Sequence, residues 1–210
     1  MFSCIRNTRI THVAEACLKP LCKSARFVSE TIIYLFISTV RFVFGIKFVN
    51  SLLIILPEPF IKPALRSCGC KIGQKAVIQT PLIIMNAHSG NYSNLVIGNQ
   101  CFVGKMVCLD LTELIEIGDN SAVSVGVTIL THEDPGGYNE LRRYFPRKSG
   151  RVVIGSNAWI GTSSTLLCGI TIGDHSIIGA SSLVKDNIAP YSVAAGIPAK
   201  VIRTIGLSSK

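Results

Sequence analysis

The chain has 210 residues, of which 48% are hydrophobic and only 16% charged, with a formal charge of +9 and a mean hydropathy of +0.45. That length supports one or two domains with a core of their own. The apolar content excludes a disordered chain, and 18 glycines without a three-residue period exclude collagen.

Residues 1–70 carry nine Lys/Arg against three Asp/Glu, a net +6, whereas residues 71–210 carry twelve against nine, a net +3. The basic third also holds the apolar runs. Phe27 to Leu56 reads FVSETIIYLFISTVRFVFGIKFVNSLLIIL, broken by Arg41 and Lys47. A spanning helix wants about 20 apolar residues with few charges, and this stretch falls short of that. It predicts one or two helices lying at a membrane surface, with Arg26, Arg41 and Lys47 reaching toward headgroups. The competing reading is an arm packed on the protein's own body or on a neighbouring subunit. Met1–His12 is polar, so no ordinary secretory signal opens the chain.

The eight cysteines (Cys4, Cys17, Cys22, Cys68, Cys70, Cys101, Cys108, Cys168) are scattered, with no C-x-x-C and no zinc-finger spacing. They read as reduced thiols of a cytosolic protein.

From residue 72 a six-residue period sets in. Its first position is Ile, Val or Leu and its second is often Gly. Six consecutive units begin at Ile154, Ile160, Leu166, Ile172, Ile178 and Val184, and earlier copies begin at Ile72, Ile97, Val103, Ile117, Val123 and Ile129. The phase slips between Leu109 and Ile117 and again across 131–152. One apolar residue in six cannot make an amphipathic helix. It can make short strands with a turn every six residues, three strands closing a triangular coil whose β-branched residues point inward. The expected fold is mainly β, a hexapeptide-repeat solenoid. Residues 1–70 form a helical arm, 71–190 the solenoid with a loop insertion at 131–152, and 191–210 a short tail.

Of the four histidines, His12 lies in the basic region, His88 outside the clean repeat, and His175 at a turn. His132 ends a coil and opens the longest interruption, so a rigid edge holds it and a loop faces it. By itself this leaves a plain loop histidine as the alternative. An imidazole base needs an orienting partner. Glu133 and Asp134 are close in sequence, and Asp110 or Glu113 on the coil below are open alternatives. Arg142, Arg143, Arg147 and Lys148 cluster with Tyr144 and Phe145, as a solvated basic loop or as a binder of an anionic or lipid-linked glycan.

The runs Ile129-Leu-Thr-His132, Asn157-Ala-Trp-Ile-Gly161, Gly169-Ile-Thr-Ile-Gly-Asp174, Ile178-Gly-Ala-Ser-Ser182 and Ala195-Gly-Ile-Pro-Ala-Lys-Val-Ile-Arg203 resemble the hexapeptide-repeat acyltransferases. Within them the chain is most similar to the galactoside, maltose and nodulation-factor O-acetyltransferases and the sugar acetyltransferases of capsule and lipopolysaccharide clusters. The resemblance covers about residues 71–205. It implies a left-handed parallel β-helix, an exception to the right-handed crossover rule, and an acetyl-CoA-dependent O-acetyltransferase acting on a sugar hydroxyl. His132 would be the general base, with Asp134 or Glu133 as catalytic partners. It implies coenzyme contacts from Trp159, Gly161, Thr162, Gly179 and Ala180, with Lys185, Lys200 and Arg203 toward the phosphates. Acceptor contacts are expected from Lys105, Asp110, Glu113, Tyr138, Arg142 and Arg143. The galactoside enzymes place an Asn where Lys105 stands here, which shifts the acceptor away from a simple galactoside. The resemblance further implies a homotrimer with the site between subunits. The expected partners are acetyl-CoA, a glycan acceptor and, through residues 1–60, the inner face of a membrane. No nucleic acid or metal is expected. The four scattered histidines lack the close pair that a zinc trimer of the carbonic-anhydrase kind would need. The alternatives are transfer to an amino sugar or another small acceptor, and a non-catalytic membrane-associated scaffold.

Overall fold

The computed structural model describes residues 28–136 and 140–206. Tyr138, His12, Arg26 and the three amino-terminal cysteines lie outside the described residues. Helices come first: α1 over residues 28–44, α2 (Ile46–Ile55) and α3 (Glu58–Ser67), followed from Lys71 onward by short strands. Gly45 at φ 77° separates α1 from α2, with its N–H donating to the carbonyl of Arg41. A residue in this left-handed conformation ends a helix, and glycine adopts it without steric cost.

The strands form three parallel faces of a β-helix. The first face stacks Lys71–Ile72, Leu95–Ile97, Ile115–Ile117, Val152–Ile154 and Thr171–Ile172. The second runs from Val77–Ile78 through Phe102–Val103, Ala122–Val123, Trp159–Ile160 and Ile177–Ile178 to a closing hairpin, Ser192–Gly196 against Ala199–Thr204. The third stacks Leu82–Met85, Val107–Asp110, Thr128–Ile129, Thr165–Leu166 and Leu183–Val184. The register carries the repeat into space. Ile154 pairs with Ile172, Ile160 with Ile178, and Leu166 with Val184. All six are buried, forming a column of aliphatic side chains inside the prism. Strand alternation sends the neighbouring residues outward.

Corners repeat as well. Lys75, Gln100, Asn120, Asn157, His175 and Tyr191 all have φ near +57° and follow the first-face strands in successive coils. The glycine that follows a repeat's buried aliphatic residue has a different reason. A Cβ on Gly155 would lie 2.7 Å from the backbone N of Asp174, and one on Gly161 would lie 2.6 Å from that of Ala180. Stacked coils leave no room for a side chain there.

The three outer faces differ. The first carries Lys71, Glu116 and Thr171. The second carries Val77, Phe102, Ala122, Trp159, Ile177 and Val193, uncharged until the closing hairpin sets Arg203 opposite Val193, and the third carries the uncharged stripe Ile83, Cys108, Thr128, Thr165 and Leu183.

The arm packs on the amino-terminal end of the solenoid. Ile37, Val40, Val49, Leu53, Ile61, Ala64 and Leu65 join one core cluster with Leu82, Tyr92 and Leu95. Polar ties fix it: the Tyr92 hydroxyl donates to Asn50 Oδ1 at 2.7 Å, and the exposed Arg66 Nη2 donates to the Ile72 carbonyl at 3.0 Å. Only one side of the arm is used this way. Leu35, Phe36, Phe42, Val43, Phe44, Phe48 and Ile55 remain exposed, Phe42 at 91% and Ile55 at 76%. Among the described residues no helix is long and apolar enough to cross a membrane.

Candidate active site

The 131–152 interruption resolves into a hairpin on the third-to-first corner. The Gly150 N–H donates to the Thr131 carbonyl, so the solenoid closes directly from Thr131 to Gly150. The described residues between them are extruded, with His132–Glu133 paired antiparallel to Lys148–Ser149. His132 therefore sits at the foot of the hairpin, its side chain 25% exposed.

Its orienting partner is Asp110, at the end of a third-face strand one coil earlier. Oδ2 of this fully buried carboxylate is 2.5 Å from His132 Nδ1. Oδ2 also accepts from the backbone N–H of Thr131 at 2.9 Å and of His132 at 3.1 Å. Oδ1 accepts from Asn86 Nδ2 at 2.9 Å, from the Thr112 hydroxyl at 2.9 Å and from the Thr112 N–H at 3.2 Å. Burial alone would raise the carboxyl's pKa, but hydrogen bonds from His132, Asn86, Thr131 and Thr112 outweigh it and hold Asp110 well below the usual carboxylate range. An ionised carboxylate can only accept. In neutral His132 the proton therefore sits on Nδ1, and Nε2 keeps its lone pair. The Thr112 hydroxyl, 3.2 Å from Nδ1, adds a second acceptor there.

This corrects the expectation for Asp134. Its carboxylate accepts from the Gly136 N–H at 2.8 Å and from Arg142 Nη2 at 2.9 Å, with Arg147 further off. The Gly136 bond, aided by Arg142, lowers its pKa. Asp134 braces the hairpin and does not meet the imidazole. Glu133 pairs across the hairpin with Lys148, while His132 pairs with Ser149, so alternation turns Glu133 to the opposite side. A cavity of about 310 Å³ lies on that side, lined by Glu133, Asp134, Pro135, Tyr144, Phe145 and Lys148. Arg142 is committed to Asp134, and Arg143 is exposed on the same turn.

Glu113 lies beside His132: its N–H donates to the Thr131 hydroxyl at 3.0 Å, and its carboxylate accepts from Ser149 Oγ at 3.0 Å. Lys105 is exposed at the second-to-third corner, a different edge of the prism from His132. Trp159 projects from the second face, 53% exposed, with its indole N–H donating to Ser124 Oγ at 3.0 Å. Gly161 is buried under the next coil, and a Cβ on Gly179 would lie 2.7 Å from that of Ala195. Thr162 and Ala180 are exposed at the same corner. Lys185 and Lys200 both reach Asp186, and Arg203 is exposed on the closing hairpin. Asn86 and Thr112 are residues that sequence reasoning missed. No motif marks them, and only the stacking of coils brings them to Asp110.

His88 is exposed, and His175 stacks on Tyr191 at 4.8 Å on an outer corner. Among the described residues no group of three His, Cys, Asp or Glu could hold a metal ion. The described cysteines are unpaired, and burial pushes the Cys70 thiol up to about 12.

Two family models match the solenoid: the bacterial transferase hexapeptide (six repeats) over residues 151–186, and the hexapeptide repeat of succinyl-transferase over residues 94–131. The galactoside O-acetyltransferase of Escherichia coli K12 is 34% identical over 134 residues, 64% of this chain and 63% of that protein. The chloramphenicol acetyltransferase of Agrobacterium fabrum is 34% identical over 113 residues, 52% of this chain and 51% of that one. The matches thus span less than two thirds of either relative. The crystal structure of a maltose O-acetyltransferase from Clostridium difficile superposes with a TM-score of 0.65 at 30% identity, covering 76% of this chain and 84% of that one. With its repeat, its three-sided parallel fold and these relatives, the chain belongs to the hexapeptide-repeat acetyltransferase family.

Proposed function

We propose that the protein is an O-acetyltransferase that moves an acetyl group from acetyl-CoA to a sugar hydroxyl. The observation that carries this reading is the His132–Asp110 pair at a solenoid corner in a chain related to galactoside and maltose O-acetyltransferases. Acetyl-CoA supplies an acyl group already activated as a thioester. His132 Nε2, unprotonated and pointing away from Asp110, takes the acceptor's hydroxyl proton as the oxygen attacks the thioester carbonyl. Asp110 holds the ring and stabilises the imidazolium that forms. The proton then passes to the departing thiolate, so the base is regenerated.

The corners where Thr162 and Ala180 are exposed beside Gly161 and Gly179, with Trp159 next to them, suit a pantetheine arm. Lys185, Lys200 and Arg203 supply positive charge for the phosphates. The second and third outer faces, free of charge below the closing hairpin, support a homotrimer packed through them, with each site completed by a neighbour. The exposed side of the arm, with Lys47 next to Phe48, supports a peripheral position on the cytoplasmic membrane surface. There the acceptor would be a lipid-linked or surface-glycan precursor.

The test is acetyl transfer to a panel of sugars and lipid-linked sugars. His132→Ala should lose about 10²–10⁴ in rate while keeping its oligomeric mass. Wild-type turnover in that variant overturns the assignment.

A further inference from the structure

Asp110 is a fully buried carboxylate whose neighbours are almost all neutral. Among the described residues no Lys or Arg bonds to it. Its charge is held by the imidazole, two threonines, backbone N–H groups and one side-chain amide, that of Asn86. The amide's orientation is fixed by chemistry, since Asp110 can only accept and Nδ2 must face it. Three coils supply the column: Asn86 from the first, Asp110 from the second and His132 from the third, with Met85 in register with Asp110. Asn86 sits at φ 54°, just past the end of its strand. Asparagine tolerates that left-handed conformation better than most residues.

We propose that Asn86 is a positioning residue that sets the proton affinity of His132 by acting through Asp110. This rests on the acetyl-transfer reading for its consequence, though not for its geometry. A donor to Oδ1 draws charge from the carboxylate. Without it, Asp110 attracts the imidazolium more strongly and His132 holds its proton to higher pH. The other ionisable groups nearby are accounted for. Glu113 is bonded to Ser149, and Glu133 and Lys148 lie on the far side of the hairpin. Burial raises the Cys108 and Cys168 thiols, keeping them neutral.

Two substitutions keep the backbone conformation accessible. Asn86→Gly removes the donor, and Asn86→Asp replaces it with a like charge of the same shape. The acid limb of kcat/KM should move to higher pH in the order wild type, Asn86→Gly, Asn86→Asp. The kcat should fall by roughly tenfold with KM unchanged, whereas a substrate-contacting Asn86 would raise KM. NMR titration of the His132 ring, assigned by comparison with His132→Ala, reads the same order without turnover. It therefore decides this inference even if no sugar is acetylated. Titration midpoints equal to wild type in both variants, with melting temperatures showing them folded, overturn it. So would a normal acid limb accompanied by a raised KM.

Discussion

The helical layer and the solenoid handle apolar side chains in different ways. In the solenoid the stacked strands bury aliphatic or small apolar residues in a column closed on all three sides, and the next coil covers them. In the arm, α1 and α2 each carry two apolar sides. Ile37, Val40, Val49 and Leu53 are buried against the body, while Phe42, Val43, Phe44 and Ile55 stay exposed among the described residues. The arm is thus a cap on the exposed first coil and also a surface whose partner lies elsewhere. Contiguous exposed apolar surface of this kind marks an interaction site. Under the proposed reading, with Lys47 exposed beside it, that partner is a lipid headgroup layer.

The largest effect that would sharpen this contrast lies at the rim of the solenoid. Asp110→Asn keeps the shape but removes the charge that fixes the Nδ1–H tautomer. It should cut the rate of acetyl transfer about 10²–10⁴-fold, measured with saturating donor. The same carboxylate links to stability. Because its folded-state pKa is depressed, its contribution is present above the unfolded carboxylate range and is lost as pH falls below it. Acid unfolding of the wild type should therefore set in more steeply than in the Asn variant, followed by circular dichroism.

Next comes the inner side of the arm. Leu53→Ala opens a cavity at a fully buried position and should cost about 2–5 kcal/mol in denaturant unfolding. A near-neutral result would mean that the arm is not part of the folded body. Between coils, Gly161→Ala drives a methyl into the backbone of Ala180 and should cost about 1–3 kcal/mol.

The smallest stability effect, and the sharpest test of the contrast, is on the outer side. Phe42→Ser should change stability by no more than about 0.5 kcal/mol. It should nonetheless weaken co-sedimentation with anionic phospholipid vesicles, and more so when combined with Ile55→Ser. Unchanged vesicle binding together with a fall in oligomeric mass would assign that side to a second copy of the chain instead of a bilayer.

Much of this was legible because the controlling pattern is local. The six-residue period from Ile154 to Val184 dictates short strands and corners, and the strand register repeats it without a slip. His132 was legible because it stands where the period breaks. Asp110 was visible as a carboxylate on the coil below, one of several alternatives. Its selection over Asp134 was not visible, because sequence proximity favours the residue that the hairpin turns away toward Arg142. Asn86 and Thr112 carried no signal at all. Asn86 and Asp110 are 24 residues apart, and Asp110 and His132 are 22 apart. Coils of unequal length give no fixed offset from which such a column could be read.

The sequence by itself determined the repeat, the prism it closes and the histidine at its broken edge, since these follow from side-chain periodicity along the chain. Only the tertiary structure decided which carboxylate meets that histidine, which amide steadies it, and which side of the arm is left uncovered. Those depend on how coils of different lengths stack and on where the helices come to rest, and neither is a property of neighbouring residues.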